Sequence, residues 1–205
     1  VAPSTDEEER KEYSSIIRNN TDLMLNLVND VLDLSRMETG DLHFDIKDHL
    51  LLVCCQMALE SVRHRIPDGV KLTFSPAGEP IVVHVDNLRL QQLLTNLLTN
   101  AAKFTEKGEI NLSFQLEPDR KKVCIAVTDT GAGIPLEKQA TIFNRFEKLD
   151  DYKPGVGLGL SICLLIAERL DGALFIDSSY TDGARFVLIL SCEIDSSIYN
   201  PPIEV

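Results

Sequence analysis

The longest regular pattern of apolar and polar positions lies near the start of the chain. Residues 6 to 39 contain no proline or glycine, and Tyr13, Ile17, Asn20, Met24, Leu27, Val31 and Leu34 recur at alternating steps of four and three. That spacing predicts an amphipathic helix that seeks a partner helix. Gly40 supplies its stop, because glycine most readily takes the left-handed conformation beyond a last helical turn. At 1.5 Å per residue the helix is about 50 Å long, more than the width of a domain of ~150 residues. The pattern therefore favours projection into a bundle or dimer over packing along a single domain.

Beyond Gly40 the periods shorten. They predict a helix over Lys47 to Arg65, a turn at Pro67-Asp68-Gly69, strands at Val70 to Phe74 and Ile81 to Val85, and a helix over Asn87 to Phe104. Gly108 introduces two strands, Glu109 to Leu116 and Lys122 to Thr128, followed by a glycine-rich loop at Asp129 to Pro135 and a helix over Leu136 to Glu147. Lys148 to Gly157 reads as a mobile polar loop, Leu158 to Leu170 as a helix, and Ala173 to Ser178 and Ala184 to Cys192 as closing strands. This succession predicts an α+β sandwich over residues 41–192, preceded by the helix of residues 6–40 and followed by a tail over 193–205 that contains Pro201-Pro202.

Composition narrows the chemistry. With 205 residues, 44% of them hydrophobic, the chain can bury a conventional core without metal or disulfide staples. Its five cysteines form no C-x-x-C pair and no cluster with histidine, which points to reduced thiols and a cytoplasmic setting. The formal net charge of −12 argues against nucleic acid or an anionic membrane as partner, so any phosphate-bearing ligand has to be held by local groups. The longest apolar run, Leu50 to Cys55, is far short of a membrane span, and any span is expected outside these residues.

Three segments carry candidate chemistry. In the helix over Asn87 to Phe104, Leu90, Leu93, Leu94, Leu97, Leu98 and Ala101 form an apolar arc. Asn96, Asn100 and Lys103 share one polar edge within about 60°. Asparagine is a poor helix former, so the edge is either a solvated face or a place where an amide oxygen meets Mg²⁺ and an ammonium meets the phosphates that it bridges. Asp129-Thr130-Gly131-Ala132-Gly133-Ile134-Pro135 follows a strand, where two glycines permit close approach and the carboxylate can accept from an exocyclic amine such as that of adenine. A plain Asp-Gly turn is the alternative, although it needs only one glycine. Gly155-Val156-Gly157-Leu158-Gly159-Leu160 opens a helix and matches neither the dinucleotide nor the Walker phosphate pattern, yet a free helix start remains an anion site in principle.

In this order the segments resemble the ATP-binding domain of the histidine kinases, shared in outline with the gyrase, heat-shock-90 and mismatch-repair ATPases. Asn96 to Thr105 resembles the family's N box, Asp129 to Ile134 its first glycine box, Ile142 to Phe146 its F box and Gly155 to Ile162 its second glycine box. Asp182-Gly183-Ala184-Arg185-Phe186 resembles the terminal glycine segment, with alanine where threonine or serine is usual. The Lys-Phe-Thr and Gly-Leu-Gly-Leu-Ser-Ile runs are closest to sensor histidine kinases of two-component systems. The resemblance implies a two-layer α/β sandwich, a mixed sheet packed by three helices. It also implies that the helix over 6–40, with Asn29 to Gly40 at its end, is the second helix of a dimerisation and phosphoacceptor hairpin.

Residue by residue, the resemblance implies that Asn100 ligates Mg²⁺ with Asn96 close to the same metal-phosphate group, and that Lys103 holds a terminal phosphate. It implies that Asp129 bonds the adenine amino group, that Gly131, Gly133 and Ile134 form the base pocket, and that Phe104 packs nearby. Arg145, Lys148 and Lys153 become candidates for the γ-phosphate, with Gly155, Gly157, Leu158, Gly159 and Leu160 in the lid around the phosphates. The implied activity is transfer of the γ-phosphoryl group of MgATP to a histidine for relay to a response regulator or receiver domain. The alternative is a nucleotide-binding interaction module, or a related ATPase, without histidine phosphotransfer. His43, His49, His64 and His84 are followed by Phe44, Leu50, Arg65 and Val85, so none has a sequence-adjacent carboxylate and the acceptor is expected outside these residues.

Overall fold

The computed structural model describes residues 4–118, 121–150 and 156–194. A long helix, α1 (Ser4–Thr39), leads in and ends at Gly40, whose φ of 78° is the left-handed conformation expected of the stop. The apolar stripe then divides between solvent and the following domain. Tyr13, Ile17, Met24 and Val31 are exposed, whereas Leu34 is buried in the core of the following domain and Leu27 packs against that core.

Seven strands make one mixed sheet: β1 (Lys47–Leu50), β2 (Val70–Ser75), β3 (Ile81–Val85), β4 (Gly108–Leu116), β5 (Lys122–Asp129), β6 (Ala173–Ile176) and β7 (Arg185–Ile194). Their order is β1-β3-β7-β5-β4-β2, with β6 alongside β7, and only β2 with β4 run parallel. The helices α2 (Leu51–Val62), α3 (Asn87–Phe104) and α5 (Gly159–Arg169) form the second layer, and a short α4 (Leu136–Gln139) precedes the lid. This is the two-layer sandwich with a three-helix layer that the resemblance implies.

α3 forms where its sequence says it must. Asp86 caps it by accepting from the Arg89 amide at 3.1 Å, and Leu90, Leu93, Leu94, Leu97 and Leu98 are all buried at helical spacing. That burial turns the opposite edge, with Asn96, Asn100 and Lys103, away from the sheet.

Several boundaries depart from the pattern, most of them by a residue or two and some by more. Lys47 to Leu50 belongs to a strand and not to a helix, because it pairs antiparallel with β3 from Lys47 against Val85 to Leu50 against Val82. The helical spacing of buried residues starts only at Leu51 and continues through Cys54, Cys55, Ala58, Leu59 and Val62, with a 3-10 turn at Arg63–Arg65. The helix expected over Leu136 to Glu147 stops at Gln139. Beyond it the chain turns so that Ile142 is buried and Phe143 meets Phe186 edge-on at 6.2 Å, and Phe146 then takes φ 64°, which no helix continues through. The strand expected to reach Ser178 ends at Ile176, where Asp177 starts a turn by accepting from the Ser179 amide at 3.0 Å. The strand expected to end at Cys192 runs on to Ile194, which pairs with Ile81, and residues 195–205 of the expected tail lie outside the described residues.

Candidate functional site

One cavity of 370 Å³ lies between the helical layer, the end of β5 and the lid. α3 contributes Asn96, Thr99, Asn100, Ala101, Lys103 and Phe104 to its wall. Asp129, Gly133 and Ile134 come from the end of β5 and the loop after it, and Ala184 and Phe186 from the start of β7. Ile142 and residues 147–150 enter before the lid, and residues 156–160 after it.

At one end the surroundings are apolar around a single carboxylate. Asp129 is 4% exposed. Its Oδ1 accepts from the backbone amides of Gly131 at 2.9 Å and Ala184 at 3.2 Å, which holds the carboxylate in place and leaves its second oxygen for an incoming donor. Burial pushes the Asp129 carboxyl above its ordinary range, and these two amides offset part of that rise. Gly131 does not line the cavity but is needed beside it, since a Cβ there would collide with the backbone oxygen of Phe104. The first glycine box thus positions Asp129 as well as shaping the pocket.

The other end is polar. α5 starts at Gly159 after Leu158, which gives no side-chain cap, so its first amides lack intrahelical partners and the positive end of the helix faces the cavity at Leu158, Gly159 and Leu160. Asn96, Asn100 and Lys103 stand along the same wall, with Lys103 Nζ 4.9 Å from the centre of the Phe104 ring. Thr99, between the two asparagines, has a buried hydroxyl without a hydrogen-bond partner in the structure. The base of the lid is tied by the Phe146 amide, which donates to the Gly157 carbonyl at 2.9 Å. Gly157 has φ 81°, and a Cβ there would overlap the backbone at Phe146 and Glu147.

The donor set fits Mg²⁺. Two amide oxygens on one helical edge are hard ligands, and among the described residues no group of three or more His, Cys, Asp or Glu side chains is placed to hold a metal by itself. Mg²⁺ commonly keeps several waters and shares its shell with substrate phosphates, so few protein donors suffice.

The cavity gathers Asn96, Asn100, Lys103, Phe104, Asp129, Gly133, Ile134, Lys148, Gly157, Leu158, Gly159 and Leu160 from the residues singled out in the sequence. Arg145 is exposed and is not part of the wall. Lys153 and Gly155 lie outside the described residues. Sequence reasoning missed Leu27 and Asp30 of α1, Arg65 and Glu147, all of which line the cavity. It also missed a partner for His84, whose Nδ1 lies 2.7 Å from Asp48 Oδ1 across the β1–β3 pairing. Strand register, and not adjacency in the chain, supplies that carboxylate.

The chain belongs to the family of histidine kinase-, DNA gyrase B-, and HSP90-like ATPases, whose model matches residues 85–194. Its relatives place it with the catalytic ATPase domains of sensor histidine kinases. It is 36% identical over 179 residues to two-component system protein A of Emericella nidulans, covering 82% of this chain and 26% of that protein. It is 33% identical over 189 residues to the circadian input-output histidine kinase CikA of Synechococcus elongatus, covering 88% of this chain and 25% of that protein. The chain therefore spans about a quarter of the length of these two curated relatives. Among solved structures it resembles full-length ShkA, crystallised in complex with AMPPNP, with a TM-score of 0.79 and 27% identity over 91% of this chain and 39% of that one. No helix among the described residues is long and apolar enough to cross a membrane.

Proposed function

We propose that this chain is the catalytic portion of a two-component sensor histidine kinase that binds MgATP and transfers its γ-phosphoryl group to a histidine outside these residues. The observation that carries the reading is the two-ended cavity. A buried, backbone-held carboxylate lies among apolar side chains at one end, and an uncapped helix start with two asparagines and a lysine lies at the other. A purine with an exocyclic amine suits the first end, with Asp129 accepting from it, and phosphates suit the second.

In the proposed reaction an imidazole nitrogen of the acceptor forms a bond to the γ-phosphorus as the bond from that phosphorus to the β,γ-bridging oxygen breaks, and ADP departs with the electron pair. Asn100, assisted by Asn96, would hold Mg²⁺, which when bound supplies charge neutralisation at the β- and γ-phosphates. Lys103 steadies the terminal phosphate, Lys148 adds positive charge from the lid, and the α5 amides orient the phosphate oxygens. Positioning and electrostatics supply most of the catalysis for such a transfer.

The exposed side of α1, with Tyr13, Ile17, Met24 and Val31, suits a dimerisation hairpin helix, and the phosphoryl group then passes to an aspartate of a response regulator or receiver domain. On this reading the chain works on the cytoplasmic side of the cell, with any membrane attachment made by other regions. The test is to mix the chain with γ-labelled ATP and a separately produced histidine-bearing hairpin of a histidine kinase. Acid-labile label on the hairpin histidine is expected. Nucleotide hydrolysis or binding without label transfer would support an ATPase or a binding module instead.

A further inference from the structure

One wall of the cavity comes from outside the segment that matches the ATPase family. Leu27 and Asp30 of α1 line it, whereas the family match covers residues 85–194. α1 is held against the domain by side chains spaced three and four apart. Leu34 enters the core and Leu27 packs on it, while Asp33 accepts from Arg89 Nη1 at 2.9 Å and from Gln92 Nε2 at 3.0 Å. Asp30, three residues before Asp33, shares that face of the helix.

Its neighbours identify the end of the cavity that it occupies. Asp33 meets Arg89 and Gln92 in the first half of α3, and Asp30, one turn earlier on α1, lines the cavity together with Asn96, one turn beyond Gln92. Asn96 lies in turn beside the start of α5, its Nδ2 3.9 Å from where a Cβ on Gly159 would stand. A carboxylate from α1 is therefore set at the phosphate end.

We infer that Asp30 is a specificity-determining residue of the nucleotide site, a carboxylate that admits a triphosphate readily only when a divalent cation accompanies it. This rests on the MgATP reading of the cavity. A metal-free triphosphate brings more negative charge toward Asp30 than a diphosphate does, in a site where water is partly excluded and screening is weak. A divalent cation removes most of that repulsion, because it neutralises part of the charge on the phosphate oxygens that it binds. Lys103, Lys148 and Arg65 also line the cavity and attract the phosphates, and Glu147 and Asp150 line it beside the lid, so Asp30 is the carboxylate that α1 brings to the wall. What Asp30 adds is the penalty on the metal-free ligand.

The test is calorimetry on the 205-residue chain and on its Asp30→Asn variant, which keeps the side chain's size, with ATP and ADP titrated in excess Mg²⁺ and in excess EDTA. The variant is expected to bind metal-free ATP about tenfold tighter than the parent, to gain less for ADP, and to change by less than about threefold for MgATP. Arg89→Ala loosens α1 and is expected to raise metal-free ATP affinity as well, although it deletes a positive charge. Intact MgATP binding with the same cation dependence in parent and Asp30→Asn overturns this inference alone. Failure of the parent to bind MgATP overturns the nucleotide reading with it.

Discussion

Burial holds the Asp129 carboxyl above its ordinary range while the Gly131 and Ala184 amides pull it part of the way back. A carboxyl raised in the folded state ionises at a cost to stability. That cost is absent below the ordinary aspartate range and grows as pH rises through the raised value. Asn at this position keeps an oxygen for the two amides and has no charge to desolvate. Asp129→Asn is therefore expected to melt no lower than the parent at neutral pH, with any gain shrinking as the solution is acidified. Binding is expected to move the other way, because a hydrogen bond to a charged group is worth about 1.5–3 kcal/mol, which corresponds to roughly 10-fold to 150-fold in ATP affinity. Melting curves across pH and calorimetry on the same variant check both halves. At this scale the lining of the cavity was readable wherever one local segment carries it, as with Asn96, Asn100 and Lys103 on one edge of α3 or Asp129 beside its glycines. Asp30 and Arg65 were not readable, because only the packing of distant segments brings them to the cavity.

α3 coincides with the helix expected over Asn87 to Phe104 because its leucines keep helical spacing throughout, and the structure adds Asp86 as its cap and an extended Thr105 after Phe104. β1 could not be read, since four residues are too few to show a period and their strand character comes from pairing with β3. The overlong reading of α4 has the same origin. Ile142 and Phe143 suit a helix locally, but the core and the Phe186 ring draw them into turns. Between elements, the Arg89–Asp33 pair ties α1 to α3, with both side chains largely shielded and Gln92 joining them. Its removal in Arg89→Ala leaves Asp33 without its charged partner and is expected to cost about 1–3 kcal/mol. The loss should fall on the docking of α1 before it reaches the sandwich. Hydrogen exchange tests this: amides of residues 27–34 should exchange faster in the variant while those of α3 and β5 stay protected. Equal protection in both proteins would mean that Leu27 and Leu34 hold the helix without the ion pair.

Across the whole molecule, the long helix and the sandwich meet at the cavity, which Leu27 and Asp30 line from the one and Asn96 and Asp129 from the other. The four histidines lie at positions 43, 49, 64 and 84, none of which lines the cavity. Incubation with γ-labelled ATP is accordingly expected to leave the chain itself unlabelled, and acid-labile label mapping to His84, which has a carboxylate partner in Asp48, would relocate the acceptor. The claim on which the account turns is that the cavity takes MgATP with its base at Asp129. Titration calorimetry with MgATP and MgGTP, on the parent chain and on Asp129→Asn, tests it most directly. The account predicts one saturable site with a clear preference for ATP, weakened roughly 10-fold to 150-fold by the substitution. No binding to the folded chain, or equal affinity for the two nucleotides in the parent, would contradict it.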